Sequence, residues 1–111
     1  MIERKIRAYK HYFMDFIQSI REEEARKVFY VIDMLKMQDR VSEKFVKHLE
    51  DGIYELRAEY NGNIFRVFFI FDEGNIVLLM NGFQKKSQKT PQKELNLAKK
   101  LKKEYNDEKG K

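Results

Sequence analysis

The stretch from residue 53 to residue 71 reads IYELRAEYNGNIFRVFFIF and decides the fold. Residues 54–60 alternate between apolar and charged side chains, and this period of two indicates a strand with one buried face. Asn61 and Gly62 form a dipeptide typical of a two-residue hairpin turn. The residues after the turn are apolar on both faces apart from Arg66, so the second strand is expected to be central in a sheet.

Two helices are predicted before this hairpin. Apolar residues recur three and four positions apart in residues 12–20 and again in residues 21–37, which is the period of a helix with one buried face. Ser19 and Glu22 fit a capping box at the start of the second helix. Because almost no loop separates them, the two helices are expected to form a helical hairpin.

Three further segments are expected to complete the sheet and its surroundings. Residues 2–9 are a candidate first strand, and residues 45–49 are expected to form a short helical turn or a packed loop. Residues 76–83 are predicted to be the strand that follows the hairpin. Together with the hairpin, this strand makes an antiparallel meander.

A lysine-rich helix is predicted at the C-terminal end. Thr90 is a suitable N-cap, Pro91 suits the first helical position, and the apolar face extends to Tyr105. The prediction is therefore a single α+β domain over residues 1–111. It has a small antiparallel sheet, an N-terminal helical hairpin and a C-terminal helix, with the helices on one face of the sheet.

The composition excludes several classes of protein. The chain has 111 residues and no cysteine, which excludes a disulfide scaffold, a thiol nucleophile and a cysteine-based metal site. With only two histidines, no transition metal is expected as a cofactor. No apolar run approaches the roughly 20 residues of a membrane span, and the N-terminal residues lack the apolar core of a signal peptide. A cytoplasmic protein with no membrane partner is therefore expected.

The basic charge is concentrated at one end of the chain. The whole sequence carries 23 Lys+Arg and 18 Asp+Glu, a net charge of +5. Residues 85–111 contain ten lysines and four acidic residues, or +6, so the rest of the chain carries −1. A one-sided basic field favours a polyanionic partner, most simply nucleic acid. A solvated, lysine-rich helix is the alternative.

Arg66 is a candidate functional side chain. A charge in an apolar central strand is costly unless it is paired or used. Arg57 alternates with Glu55 and Glu59 on the neighbouring strand. Arg66 either pairs with one of these carboxylates across the hairpin or joins Arg57 in a binding site. The sequence leaves open whether the two arginines share a face, because a one-residue shift of register reverses the faces of a strand.

A cluster of lysines follows the last predicted strand. Residues 82–91 read GFQKKSQKTP and place Lys85, Lys86 and Lys89 in a loop between a strand and a helix. Such a loop can present ammonium groups to RNA phosphates, or to the charge that develops during phosphoryl transfer. An ordinary solvated basic loop is the alternative.

Three blocks of the sequence resemble a known family. Residues 49–57 (LEDGIYELR), 63–69 (NIFRVFF) and 82–91 (GFQKKSQKTP) match it in order and spacing. They resemble the phage-derived, HigB-like branch of the RelE/ParE superfamily, toxins of type II toxin–antitoxin systems. The resemblance covers nearly the whole chain.

This resemblance implies a RelE-like fold and an endonuclease that cuts mRNA on the ribosome without a metal or another cofactor. In such toxins the 2′-hydroxyl attacks the adjacent phosphate and leaves a 2′,3′-cyclic phosphate. The implied catalytic residues are Arg66, Arg57 and Lys86, and Lys85 is the alternative to Lys86 at the end of the last strand. RNA binding is expected from Lys85 together with Lys89 and Lys93.

The partner that the resemblance implies is a cognate helix-turn-helix antitoxin, which neutralises the toxin. Contact with operator DNA is expected only through the complex with this antitoxin. Two other functions remain open: a ParE-like toxin that inhibits DNA gyrase by binding, and a non-catalytic RNA-binding module.

The sequence departs from the family pattern in one respect. RelE-like toxins often carry a catalytic tyrosine or histidine soon after the last strand, where this chain has Ser87 and Gln88. The general acid or base is therefore not identified by the resemblance. A lysine of the loop is the alternative proton donor or acceptor, because neighbouring like charges favour its neutral form.

Overall fold

A five-stranded sheet with helices on both faces forms the centre of the computed structural model, which describes residues 3–86 and 89–110. The elements in chain order are β1 (Lys5–Ala8), α1 (Tyr12–Ser19), α2 (Glu22–Met37), β2 (Val46–Glu50), β3 (Ile53–Tyr60), β4 (Asn63–Asp72), β5 (Ile76–Lys85) and α3 (Gln92–Lys109). The predicted α+β class, the helical hairpin and the last helix are confirmed.

The strand order in the sheet is β1-β5-β4-β3-β2. Strands β2 to β5 form an antiparallel meander, as the alternating pattern and the turn signals predict. Strand β1 pairs in parallel with β5, because the chain passes through both N-terminal helices before it enters the meander. In the turn between β3 and β4, Asn61 and Gly62 both have positive φ angles, 51° and 82°, as a type I′ hairpin turn requires.

Strand β2 corrects the prediction of a helical turn or loop over residues 45–49. A bulge lies between His48 and Glu50, so the pairing with β3 shifts by one residue. Val46 packs on one side of the sheet and Leu49 on the other, because residues three apart on a strand point to opposite faces. The same spacing of three between apolar residues also fits a helical period, which is why the sequence suggests a helical turn.

The helices lie on both faces of the sheet, which corrects the prediction that they share one face. Helices α1 and α2 cover one face, with a core that includes Phe16, Val28 and Phe65. Helix α3 covers part of the other face and packs Leu101 among a second set of buried residues that includes Phe68. Strand β4 is apolar on both faces because each face has its own helical layer.

Two predicted helix starts also differ from the structure. Helix α2 is capped at Arg21, whose backbone N–H donates to the Glu24 carboxylate at 2.8 Å, and not at Ser19. The acidic first turn offers several carboxylates at similar spacing, so the sequence does not single out the capping one. Pro91, not Thr90, is the N-cap of α3.

Both ends of α3 are tied to the sheet. Near its start, the Asn81 amide donates to the Glu94 backbone carbonyl at 3.0 Å and to the Glu94 carboxylate at 3.1 Å. Near its end, the Tyr105 hydroxyl and the Lys109 ammonium both donate to Asp72, and these bonds hold the pKa of Asp72 below its ordinary value. These bonds fix α3 across one half of this face of the sheet. The helix does not cover the other half, which is nearest the turn between β3 and β4.

Gly82 allows α1 to approach β5 closely. A Cβ atom at this position would lie 2.4 Å from Cδ2 and 2.8 Å from Cγ of Phe16. These contacts are too short for real carbon atoms, and the ring cannot withdraw easily because it is buried in the core below α1. A glycine is therefore required here by packing.

We predict that Gly82→Ala lowers the free energy of unfolding by roughly 1–3 kcal/mol, the usual cost of overpacking a core. Urea-induced unfolding followed by circular dichroism measures this loss. Gly110→Ala is the matched control, because the nearest atom to a Cβ there lies at an ordinary 3.4 Å and the φ angle is negative. A Gly82→Ala protein as stable as the control would contradict the packing described here.

Candidate nucleic-acid interface

Four cationic side chains lie on the half of the sheet that α3 leaves uncovered, one on each of the adjacent strands β2 to β5. They are Lys47, Arg57, Arg66 and Lys85, and we call them the cationic cluster. Arg57 lies directly opposite Arg66. Lys47 lies opposite Glu55 and Lys85 lies opposite Ile64, each two residues along the strands from this pair and on the same face. The cluster therefore crosses the sheet diagonally.

The register between β3 and β4 settles the question that the sequence leaves open. Arg57 pairs with Arg66 in the ladder, so the two side chains project from the same face. The two-residue turn fixes this register, because a hairpin with a type I′ turn permits no one-residue slip. The two arginines therefore lie side by side on one face of the sheet.

A buried carboxylate holds the two arginines together. The Glu55 side chain is 1% exposed, and its Oε1 accepts a hydrogen bond from Nη1 of Arg66 and another from Nε of Arg57 at 3.3 Å. The Thr90 hydroxyl lies 3.4 Å from the second Glu55 oxygen. The cross-hairpin pairing that the sequence offers for Arg66 is thus present, and Arg57 shares the same carboxylate.

Arg66 is the most enclosed member of the cluster. Its side chain is 4% exposed, and its Nε is buried without a hydrogen-bond partner. Burial lowers the pKa of Arg66, the Glu55 carboxylate opposes this shift, and the neighbouring Arg57 adds to it. A guanidinium stays protonated even so, and the unpartnered Nε–H is a donor that this fold does not satisfy.

Lys85 has an ammonium group in an unfavourable environment. Burial lowers the pKa of Lys85 most, the nearby charges of Arg66, Arg57 and Lys47 lower it further, and Glu55 partly offsets them. The depressed pKa that the sequence suggests for a lysine of this region is therefore found, but its causes are burial and the cationic cluster. Such a group exchanges its proton more readily than an ordinary lysine.

The other predicted lysines lie outside the cluster. Lys86 lines a different groove, between α1 and the start of α3, with Tyr12 and Glu94. Lys89 is exposed in the loop before α3, and Lys93 is exposed in the first turn of that helix. Ser87 and Gln88, where the family pattern has a tyrosine or histidine, lie outside the described residues.

Lys47 is the member of the cluster that the sequence analysis misses. It lies on β2, which is not predicted as a strand, so its face cannot be assigned from the sequence. The usable signal is the dipeptide Asp51-Gly52, which forms a second hairpin turn with φ angles of 54° and 71°. Taken as a turn, it predicts a strand before it, in which a regular hairpin would place Lys47 opposite Leu56. The bulge moves the partner of Lys47 to Glu55 and so brings its side chain to the face of the arginines.

Neither a metal centre nor a membrane-spanning helix is found in the part of the chain that the structure describes. Within residues 3–86 and 89–110, no three histidine, aspartate or glutamate side chains converge closely enough to hold a metal ion. Within the same residues, every helix is too short or too polar to cross a membrane.

Comparison with known proteins identifies the family. A family model described as "Phage derived protein Gp49-like (DUF891)" matches residues 15–103. The chain belongs to this Gp49-like family. The sequence prediction of a phage-derived branch is thereby confirmed, although no curated protein matches the chain significantly.

A solved structure gives the fold of this Gp49-like chain. The structure of this chain resembles that of one chain of the archaeal RelE–RelB complex from Pyrococcus horikoshii OT3, with a TM-score of 0.53 and 15% sequence identity. The alignment covers 73% of this chain and 93% of the archaeal one. The predicted RelE-like fold is confirmed.

We predict that Arg66→Ala lowers the free energy of unfolding by about 3 kcal/mol, because it leaves the Glu55 carboxylate buried without its closest cationic partner. The double variant Glu55→Leu/Arg66→Met replaces both charges by apolar groups of similar volume and is expected to recover most of this loss. Chemical unfolding of the three proteins measures both effects. Equal stability of Arg66→Ala and the unchanged protein would show that the ion pair is not buried as described.

Proposed function

We propose that this Gp49-like protein is the toxin of a type II toxin–antitoxin system and a metal-independent endoribonuclease that cuts mRNA on the ribosome. The observation that carries the proposal is the cationic cluster, in which four neighbouring strands each supply one cation to the open half of the sheet. Within the part of the chain that the structure describes, the buried carboxylate of Glu55 is the one acidic group that pairs with the two arginines. A surplus of positive charge held in place by the sheet suits a phosphodiester and the charge that develops on it.

In the proposed reaction, Arg57 and Arg66 bind the phosphate that is cut. The 2′-oxygen forms a new bond to phosphorus, the bond to the 5′-oxygen breaks, and a 2′,3′-cyclic phosphate and a 5′-hydroxyl result. The two guanidinium groups stabilise the extra negative charge of the transition state, and Glu55 fixes their orientation before the substrate arrives. The 2′-hydroxyl proton passes to solvent in this scheme.

Lys85 is the proposed general acid. Its ammonium donates a proton to the 5′-oxygen as that oxygen leaves, and its lowered pKa makes this transfer easier than from an ordinary lysine. The sequence analysis identifies no general acid and gives Lys86, with Lys85 as the alternative, as the cation at the end of the last strand. The shared face of Lys85 and the arginines supports Lys85, and the assignment to Lys86 stays a prediction that experiment can compare.

The remaining lysines of the loop and helix have a binding role in this proposal. Lys89 and Lys93 are exposed and follow Lys85 of the cationic cluster closely in the sequence. In this proposal they supply charge for phosphates beyond the cleaved bond. Their contribution is to affinity, because neither is fixed on the sheet face that carries the arginines.

The proposed partner is a cognate helix-turn-helix antitoxin. The archaeal protein of similar fold was solved as a RelE–RelB complex, which supports a protein partner for this chain. Operator DNA is contacted in the proposal only through the toxin–antitoxin complex.

We predict that Lys85→Gln lowers the rate of mRNA cleavage on translating ribosomes by about 10²-fold or more at saturating toxin, the usual contribution of a general acid. Lys86→Gln is expected to change the rate far less, and Lys103→Gln, on the exposed side of α3, is the control. Single-turnover cleavage followed by primer extension measures these rates. A larger loss in Lys86→Gln than in Lys85→Gln would assign the acid to Lys86.

The pH dependence separates proton transfer from simple charge in the same assay. With Lys85 as the acid, the rate falls as the pH rises through the pKa of Lys85, which lies below the ordinary lysine value. Lys85→Arg keeps the positive charge but holds its proton, so it is expected to cleave slowly and to lose the alkaline fall. An unchanged alkaline fall in Lys85→Arg would contradict the role of Lys85.

A further inference from the structure

A groove of about 450 Å³ leads from the two arginines around the edge of β3. The pairing of β2 with β3 begins at Val46 and Leu56, so the last part of β3 forms a sheet edge. The groove wraps this edge and reaches α2. Its lining residues are Lys27, Lys44, Phe45, Arg57, Ala58, Glu59, Ile64 and Arg66. We call this feature the edge groove.

The edge groove is strongly basic. Lys27 from α2 and Lys44 from the segment before β2 join the two arginines of the cationic cluster, and Glu59 is the one acidic residue among those that line it. Four cations therefore face one carboxylate. Arg66, which lines the groove, also has a buried Nε without a hydrogen-bond partner.

An aromatic ring lies between these cations. Phe45 is partly buried, and the ammonium of Lys44 lies 5.6 Å from the centre of its ring. The backbone N–H of Arg57 donates to the Phe45 carbonyl at 2.7 Å, which ties this segment to the strand that carries the catalytic arginine. The Phe45 and Val46 N–H groups also donate to the Ser42 carbonyl, so the segment is a closed turn.

We propose that the edge groove binds the nucleotide next to the cleaved bond, with its base stacked on Phe45 and its phosphate held by Lys44 and Lys27. This inference rests on the proposed function, because it assumes that the cleaved phosphate lies on the arginines. An aromatic platform flanked by cations is the usual way in which proteins bind single-stranded nucleic acid without reading its sequence. Direct continuity with the arginine pair makes the groove the path for the adjoining phosphodiester.

The chemistry of the groove favours RNA over an acidic peptide. An acidic side chain of a peptide pairs with a cation, but it has no aromatic ring to stack on Phe45. A nucleotide uses both features, because its base stacks and its phosphate pairs with ammonium groups. One ligand thus accounts for the aromatic ring and for the two lysines beside it.

The test measures binding of a fluorescent, single-stranded RNA oligonucleotide with 2′-O-methyl riboses, which cannot be cleaved. Affinity is determined at several salt concentrations for the full chain. The double variant Lys27→Gln/Lys44→Gln is expected to reduce the slope of log affinity against log salt by about 1.4, or 0.7 for each lost phosphate contact. Lys103→Gln, far along α3 and paired with Asp107, is the control and should leave the slope unchanged.

Two substitutions at Phe45 separate stacking from packing. Phe45→Leu keeps an apolar side chain and removes the ring, so affinity is expected to fall about 5- to 150-fold, the effect of losing one base stack. Phe45→Tyr keeps the ring and should bind like the unchanged protein. Equal affinity of Phe45→Leu and Phe45→Tyr would overturn the stacking role.

The outcomes also separate this inference from the proposed function. If the lysine variant keeps the full salt slope, the edge groove does not bind RNA, whether or not the protein cleaves mRNA. If the slope falls as expected but no mRNA is cleaved, the groove binds RNA and the nuclease proposal is wrong. If the unchanged protein binds an acidic peptide and the lysine variant does not, while both have the same RNA salt slope, the groove binds a protein partner. This result would overturn the inference.

Discussion

The candidate site depends on the buried ion pair between Glu55 and Arg66. Two arginines directly opposite each other on neighbouring strands repel, and such like-charged pairs destabilise a sheet. Glu55 accepts hydrogen bonds from both guanidinium groups, so it makes this arrangement compatible with the fold. The carboxylate is almost completely buried and offsets the repulsion inside the protein, where Arg66 is also buried, while Arg57 stays partly exposed. The cost of burying these charges is characteristic of a functional site.

The position of α3 decides which charges remain available. The helix is tied to Asn81 through Glu94 at one end and to Asp72 at the other, so it covers the apolar half of its sheet face. The uncovered half carries the cationic cluster and the entrance to the edge groove. The same packing thus buries the second core and leaves Lys47 exposed and Arg57 and Lys85 partly exposed.

Much of this fold follows from local patterns in the sequence. The alternation in residues 54–60 and the turn at Asn61-Gly62 predict the central hairpin, and the face of Arg57 follows from the same alternation. The two helices before the hairpin follow from their period. These features are predictable because each depends on residues that are close in sequence.

The remaining features depend on contacts between distant segments. Strand β2 contains a bulge that shifts its pairing with β3 by one residue, so the face of Lys47 cannot be derived from the turn at Asp51-Gly52. Glu55 looks like a solvent-facing residue in the alternating pattern, and only the packing of β4 and of Thr90 shows that it is buried. The choice between Lys85 and Lys86 depends on where β5 ends relative to β4, which a run of lysines in the sequence cannot indicate.

The most direct test of the account maps the ends of mRNA after incubation with translating ribosomes and metal-stripped protein. The account predicts fragments that end in a 2′,3′-cyclic phosphate. It also predicts that the folded double variant Glu55→Leu/Arg66→Met produces none above background. Equal cleavage by the double variant would contradict the central role of the arginine site. Intact mRNA together with inhibition of DNA gyrase by the unchanged protein would show that it acts by binding, as a ParE-like toxin does.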